Sequence, residues 1–269
     1  MALTHPHGFT RVAADGTCQA VTRPAVPECP IAIEVNGVGY AVMMATAADL
    51  DDFVTGFALS ERIVPGGDEI AELDLFEAPL GWIARLSVPP ARAAAVAARV
   101  RARASDSSCG LCGMDNLEAV NRDLPQVPAT TIDPPAIFRA LGAMRAHQPL
   151  NAATGAAHAA MLCSPDGQVR LAREDVGRHN AFDKLIGAMA RGGLEWDGGF
   201  ALLSSRCSYE LVEKAAWSGC PALVTVSAAT DLALARAAQA GLTLVSLARS
   251  DAVLFPSTKP AGSFPRVVS

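Results

Sequence analysis

FALLS (Phe200–Ser204), YELVEKAAWS (Tyr209–Ser218), ALVTVS (Ala222–Ser227), DLALARAAQA (Asp231–Ala240) and LTLVSL (Leu242–Leu247) succeed one another with short loops between them. The first, third and fifth are runs of Leu, Val and Ala, the pattern of strands buried on both faces. The second and fourth have the apolar spacing of helices. Strand–helix alternation of this kind predicts right-handed crossovers and a parallel sheet covered by helices. This half of the chain therefore belongs to the α/β class.

Upstream, Ala156–Cys163 and Gln168–Arg173 flank Pro165-Asp166-Gly167, turn residues that predict a hairpin. Helices are expected over Arg178–Ala190 and Ala136–His147. Nearer the N-terminus, Ile31–Val35 and Val38–Met44 surround Asn36-Gly37, a strong hairpin signal. Thr46 precedes Asp49 by a capping-box spacing and opens a helix to about Ser60, with Leu50, Phe53, Val54 and Phe57 on its apolar face. Strands over Leu73–Phe76 and Trp82–Val88 follow, then an Ala- and Arg-rich helix from Pro90 to about Ala104. Residues 1–30 mix Pro, Gly, Thr and charge without periodicity and read as a loosely held leader. The chain thus divides into that leader, a small α+β domain (31–105), a cysteine-bearing loop and connector (106–135), and a larger α/β domain (136–269).

Of 269 residues, 51% are hydrophobic and 18% charged, which excludes a disordered tail or a coiled-coil rod. A net charge of −5 argues against a protein that coats duplex nucleic acid, and 3 Trp and 2 Tyr leave few stacking platforms for single strands. Met1–Asp15 has no apolar core of signal-peptide length, and no run approaches the roughly 18 apolar residues that span a bilayer. A cytoplasmic address with no membrane partner is expected. Thiols are reduced there, so the 7 cysteines are not expected to form a disulfide framework.

Ligands of open α/β sheets sit beyond the carboxyl ends of the strands. Ser204-Ser205-Arg206, Ser227 and Ala248-Arg249-Ser250-Asp251 fall at three such ends. Hydroxyls, backbone N–H groups at helix starts and two guanidinium groups are the inventory that holds phosphate oxygens. Helix capping and surface solvation are the plain alternative. There is no Walker A motif and no G-x-G-x-x-G after a strand, so kinase-like and dinucleotide-dehydrogenase readings lose support.

Cys109-Gly-Leu-Cys112 lies in a Ser- and Gly-rich loop. A C-x-x-C pair can ligate zinc, shuttle disulfides or present a reactive thiolate. Structural zinc takes four ligands, and Cys18, Cys29, Cys163, Cys207 and Cys220 are scattered, so no metal site is expected. A flexible loop suits a sulfur that must visit a donor and an acceptor; two incidental cysteines are the alternative. Arg173-Glu174-Asp175-Val176-Gly177-Arg178-His179-Asn180 is the densest ionisable cluster, with His158 on the preceding strand able to approach it. It acts on a ligand or it is a salt-bridged turn capping a helix. Arg92, Arg99, Arg101 and Arg103 form a basic helix face, either solvated or a dock for an acidic partner.

CGLCG (109–113), TGAAHAA (154–160), REDVGRHNA (173–181), SSRCSYELV (204–212), VSAAT (226–230) and GLTLV (241–245) together resemble the formate dehydrogenase accessory sulfurtransferase family, FdhD. The resemblance runs from about Ile31 to Phe255. It implies a sulfurtransferase of the sulfur-carrier kind. A cysteine desulfurase passes sulfur to a loop cysteine, and the persulfide sulfur goes to the metal of a molybdenum bis(molybdopterin guanine dinucleotide) cofactor. That cofactor is then inserted into formate dehydrogenase.

Carried over by position, Cys109 holds the persulfide and Cys112 assists or resolves it, while Leu247, Ala248, Arg249, Ser250, Asp251 and Ala252 bind the cofactor. Its guanosine diphosphate arms match the phosphate chemistry read at the strand ends, where Arg206 and Ser227 join the set. The resemblance further implies a homodimer and a three-layer, cytidine-deaminase-like C-terminal domain beside the smaller N-terminal α+β domain. The deaminase signature itself, H-x-E followed by P-C-x-x-C, is missing: Ala159-Ala160 follow His158, and the C-x-x-C precedes it. Ser246 stands where Gly is common in the family, and Val-Leu-Phe-Pro (253–256) where the segment usually ends in Tyr. A chaperone that binds and inserts the cofactor without transferring sulfur is the alternative role.

Overall fold

The computed structural model describes residues 4–106, 123–128 and 130–256. Its chain starts with strands β1 (His5–Val12) and β2 (Cys18–Ala25), paired antiparallel as a separate hairpin where a loose leader was expected. Gly16 turns it at φ +85°, and the Asp15 carboxylate accepts from the N–H and hydroxyl of Thr17. β1 is exposed along its whole length, so burial imprints no apolar alternation on it. Only the Asp-Gly pair carries the signal.

The first lobe contains β3 (Cys29–Val35), β4 (Val38–Ala45), α1 (Leu50–Ser60), β5 (Glu72–Ala78), β6 (Gly81–Ser87) and α2 (Pro90–Asp106). Its sheet runs β4-β3-β6-β5, with β3 and β6 parallel and the other pairs antiparallel. Asn36 (φ +46°) and Gly37 (φ +79°) take the left-handed conformations that a two-residue hairpin turn demands. Ile31, Ile33 and Val35 face inward and pack with Phe53, Phe57 and Leu86. The capping box expected at Thr46 and Asp49 does not form. Asp49 precedes α1 at φ +51° with no capping hydrogen bond, and Thr46 is committed to the other lobe.

The second lobe contains α3 (Pro134–Met144), α4 (Pro149–Thr154), β7 (His158–Cys163), β8 (Val169–Asp175), α5 (Arg178–Gly192), β9 (Phe200–Leu203), α6 (Tyr209–Trp217), β10 (Ala222–Thr225), α7 (Asp231–Ala240) and β11 (Thr243–Val245). The sheet order is β11-β10-β9-β7-β8. β9, β10 and β11 are parallel, and β7 runs antiparallel to both its neighbours, so the sheet is mixed rather than wholly parallel. Leu162, Leu203, Leu223 and Leu244 pack against α5, α6 and α7 through Phe182, Leu211 and Ala237. Met161, Leu202, Val224 and Val245 lie on the other face with Ile137 of α3. Adjacent residues of one strand thus enter opposite helix layers, which is why these strands are uninterrupted apolar runs.

The lobes meet backbone to backbone where α1 crosses α5. A Cβ on Gly56 would lie 1.8 Å from the Asp183 carbonyl oxygen, and one on Gly187 1.8 Å from the Asp52 carbonyl oxygen. Around this crossing, buried Asp52 accepts from Arg173 (2.8 Å) and Arg191 (2.6 Å). A second tie is wholly buried. Asp175 Oδ2 lies 2.7 Å from Lys184 Nζ and accepts from the Thr46 N–H at 2.9 Å, while Lys184 donates to the carbonyls of Thr46 and Glu174.

Candidate functional site

The carboxyl ends of β9, β10 and β11 are stitched together by backbone hydrogen bonds. Ser227 N–H donates to the Ser205 carbonyl (3.3 Å), Leu247 N–H to that of Ser227 (3.1 Å) and Ala248 N–H to that of Thr225 (3.0 Å). Because β7 is antiparallel, its first residues join the same edge: Ser204 N–H donates to the Ala159 carbonyl, and the Ala159 N–H to Ser204 Oγ (2.8 Å). Helices α5, α6 and α7 begin here, as strand–helix connections require. The edge therefore runs, strand by strand, through Asp175, His158, Ser204–Arg206, Ser227 and Leu247.

At the β11 end the chain doubles back. Ser246 bridges Leu254, and the Arg249 N–H donates to the Ala252 carbonyl at 2.9 Å. Leu247 turns the chain at φ +48°, a conformation costing a branched residue on the order of 1 kcal/mol. Ala248 is buried, Leu247 and Ser227 are half-buried, and Arg206, Arg249, Ser250, Asp251 and Ala252 are exposed. A cavity of about 300 Å³ separates this loop from α3, with Val226, Ala248, Arg249 and Ser250 on one wall and Phe138, Leu141 and Met144 on the other. Arg206 sits at the end of β9, two strands from Arg249, a spacing of about 10 Å between backbones.

Most of the 173–180 cluster is structural. Arg173 binds Asp52; Glu174 accepts from the N–H groups of Leu150 and Asn151 at the start of α4; Asn180 donates to the Met44 carbonyl and to Asp175. The salt-bridged turn is the right reading for these residues. Arg178 and His179 differ, because they open α5 at the strand-end edge beside His158. His179 Nε2 lies 3.2 Å from Ser208 Oγ and 3.8 Å from Glu210 Oε2. Burial, with the Arg178 charge next, holds the His158 imidazole below its usual pKa. His179, followed by the Ser208 hydroxyl, holds the Glu210 carboxyl down at about 2.

Sequence reasoning missed Ser208 and Glu210. An acid in the first turn of a helix ordinarily compensates the dipole, so nothing marked Glu210 as a partner of His179. Since its folded pKa is depressed, the stability it confers is present above its ordinary 4.5 and is lost as pH falls from there through about 2. Glu210→Gln is accordingly expected to lower stability near pH 7 and to flatten its fall over that acid range, so that variant and parent converge towards pH 2, read by urea unfolding at successive pH values. An unaltered acid limb would contradict the His179–Glu210 pairing.

Cys163, Cys207 and Cys220 are buried, and burial pushes each thiol up to about 12. Burial likewise raises half-buried Cys29, while Cys18 is exposed on the hairpin. Cys109 and Cys112 lie outside the described residues. On α2, Arg92 pairs with Glu69 at 2.8 Å and Arg99 donates to the carbonyls of Glu61 and Arg62, so both fasten the helix to its lobe. A cavity of about 470 Å³ lies at the far ends of α5 and α6, lined by Leu59, Ile186, Met189, Trp196 and Trp217, with Arg62 over the Trp217 ring at 4.8 Å. It sits roughly 15 Å along α5 from the strand-end edge. Among the described residues, no helix is long and apolar enough to cross a membrane.

Residues 26–256 match the model of the FdhD/NarQ family. The "Sulfur carrier protein FdhD" of Xanthomonas campestris pv. campestris (strain B100) is 46% identical over 244 residues, 89% of this chain and 86% of that protein. That of Variovorax paradoxus (strain S110) is 45% identical over 225 residues, 83% of this chain and 81% of that one. A crystal structure of a putative formate dehydrogenase accessory protein from Desulfotalea psychrophila shares the fold, with a TM-score of 0.74 at 21% identity, over 94% of this chain and 96% of that one. With most of its length matched in this way, the chain belongs to the FdhD/NarQ family.

Proposed function

We propose that this protein is a sulfur carrier. It takes persulfide sulfur from a cysteine desulfurase and delivers it to the metal of a molybdenum bis(molybdopterin guanine dinucleotide) substrate destined for formate dehydrogenase. The observation that carries the reading is the close relation to proteins named sulfur carriers, at 45–46% identity across more than four-fifths of the chain. The chemistry follows from the residue types. The Cys109 thiolate attacks the outer sulfur of the donor's persulfide; a new sulfur–sulfur bond forms at Cys109, the donor's bond breaks, and the donor thiolate leaves. Cys112 assists or resolves that persulfide. The other cysteines fit this role poorly where they are buried, because a thiol held at about 12 is scarcely ionised at neutral pH.

The residues at the β11 end fit a guanosine diphosphate arm of the substrate. Arg249 offers a guanidinium and Ser250 a hydroxyl beside a cavity of about 300 Å³, and Leu247, Asp251 and Ala252 complete the loop. Arg206 and Ser227 extend the same edge. A cytidine-deaminase-like arrangement of the second lobe, a homodimer and a cytoplasmic setting belong to the same proposal.

Cys109→Ala is expected to abolish activation of formate dehydrogenase while the purified variant still binds GDP. Mass spectrometry after incubation with a desulfurase and cysteine should place one added sulfur on the Cys109 peptide. Arg249→Ala is expected to weaken GDP binding about tenfold, the loss of one charge-assisted contact. The cavity beside Arg249 also suits a chaperone that only holds and inserts the cofactor. Activation that survives Cys109→Ala would remove the carrier role and leave that one.

A further inference from the structure

We propose that Arg178, His179 and His158 form a second oxyanion site on the strand-end edge, one that takes a phosphate or diphosphate group. The inference does not rest on the sulfur-carrier reading, since it concerns what this corner of the sheet binds and not what Cys109 does.

Arg178 Nε is buried and has no acceptor among the described residues. A buried donor on a charged group is costly to leave unsatisfied, so donors of this kind have an acceptor, protein or ligand.

Besides burial, Arg178 and His179 both disfavour protonation of half-buried His158, while Asp175 favours it, so two cationic groups and one carboxylate act on this ring. The anionic neighbours are already engaged. Asp175 binds Lys184 and the Thr46 N–H, and Glu210 faces His179 Nε2. An arriving oxyanion would relieve this repulsion and give Arg178 Nε its acceptor.

The fifteen-residue helix α5 starts at Arg178 behind Gly177, with no side-chain cap and no acid in its first turn. Its first N–H groups and the positive end of its dipole face the same corner. The Gly177 N–H donates to Asp175 Oδ1 (2.8 Å) and the Val176 N–H to Thr46 Oγ1 (3.2 Å), which holds the approach to the helix in place. Glu210 and Ser208 occupy Nε2 of His179, which orients the ring. A Ser–His hydrolytic pair is a poorer reading, because the acid sits on the same ring nitrogen as the serine instead of the opposite one.

β7 and β11 are three strand spacings apart, so this corner lies about 14 Å along the edge from the Leu247 loop. An elongated ligand with two phosphate-bearing arms could reach both ends.

The test uses inorganic pyrophosphate and the intact protein. With only 5 histidines, imidazole resonances can be assigned with His158→Gln and His179→Gln, and His5, His7 and His147 serve as controls. Millimolar pyrophosphate is expected to shift His158 and His179 saturably ahead of the controls and to raise the apparent pKa of His158 by about one unit. Arg178→Gln is expected to weaken pyrophosphate binding about tenfold, and Arg249→Gln to leave the two imidazole shifts in place. Shifts absent in the unsubstituted protein, or no larger than those of the controls, would overturn the proposal even if Arg178→Gln failed to fold. Loss of the shifts in Arg249→Gln would overturn it too. Such a failure would not touch the sulfur-carrier reading, which stands or falls at Cys109.

Discussion

Replacing Lys184 by Met is expected to destabilise the protein by about 3–5 kcal/mol, measured by urea unfolding at pH 7. Lys184 and Asp175 are both fully buried, and their charges lie 2.7 Å apart. Met fills much the same volume but leaves the Asp175 carboxylate without its counter-charge. The backbone donors of Thr46 and Gly177 and the amide of Asn180 still reach that carboxylate, yet none of them carries a formal charge. Asp175→Asn combined with Lys184→Met removes both charges, so the pair should recover at least about 1 kcal/mol over the sum of the single losses. A Lys184→Met protein that unfolds within about 1 kcal/mol of the parent would mean that the ion pair is not what holds this junction. The effect also reaches the edge, since Asp175 and Thr46 fix the chain that leads into α5.

The next largest effect is expected from Gly56→Ala. The added methyl would sit 1.8 Å from a carbonyl oxygen of the facing helix, and backbone, unlike a flexible side chain, cannot swing aside. The helices must separate, which thins the contact between the lobes and stretches the Asp52 pairs with Arg173 and Arg191. A loss of about 3 kcal/mol or more follows from overpacking at such a site. For a chain of this size that lowers Tm by about 6–12 °C in a calorimetric scan. Gly187→Ala should behave alike, because its methyl meets the Asp52 carbonyl from the other side. Gly142→Ala is the control: its Cβ would meet nothing within 4 Å, and its Tm should not fall. Equal Tm values for Gly56→Ala and Gly142→Ala would contradict the close approach of α1 and α5.

The second lobe was legible because its signals are local. Each strand of the 200–247 stretch is buried on both faces and each connection is short, so apolar runs and helical spacing place the elements within about two residues of where they lie. Asn36-Gly37 was readable for the same reason, since both residues must take positive φ. The failures share a different cause. β1 and β2 bury no face, so nothing but Asp15-Gly16 records them. Thr46 looked like a helix cap because its partners, Asp175 and Val176, are 129 and 130 positions away.

The candidate site divides along the same line. Arg206, Ser227 and 247–252 follow from strand ends, which sequence can place, whereas Ser208 and Glu210 matter through a histidine on another helix. His158 was readable as a neighbour of the 173–180 cluster because hairpin register sets it opposite Asp175.

The three cysteines inside the sheet lobe have a practical consequence for anyone who treats the native protein with an electrophile. At neutral pH a thiol held at about 12 is ionised only about once in 10⁵ molecules, so Cys163, Cys207 and Cys220 are inert to iodoacetamide or peroxide while the fold persists. Adducts counted before denaturation therefore report on the remaining four of the 7 cysteines, and three further adducts appearing in urea would mark the moment the sheet opens.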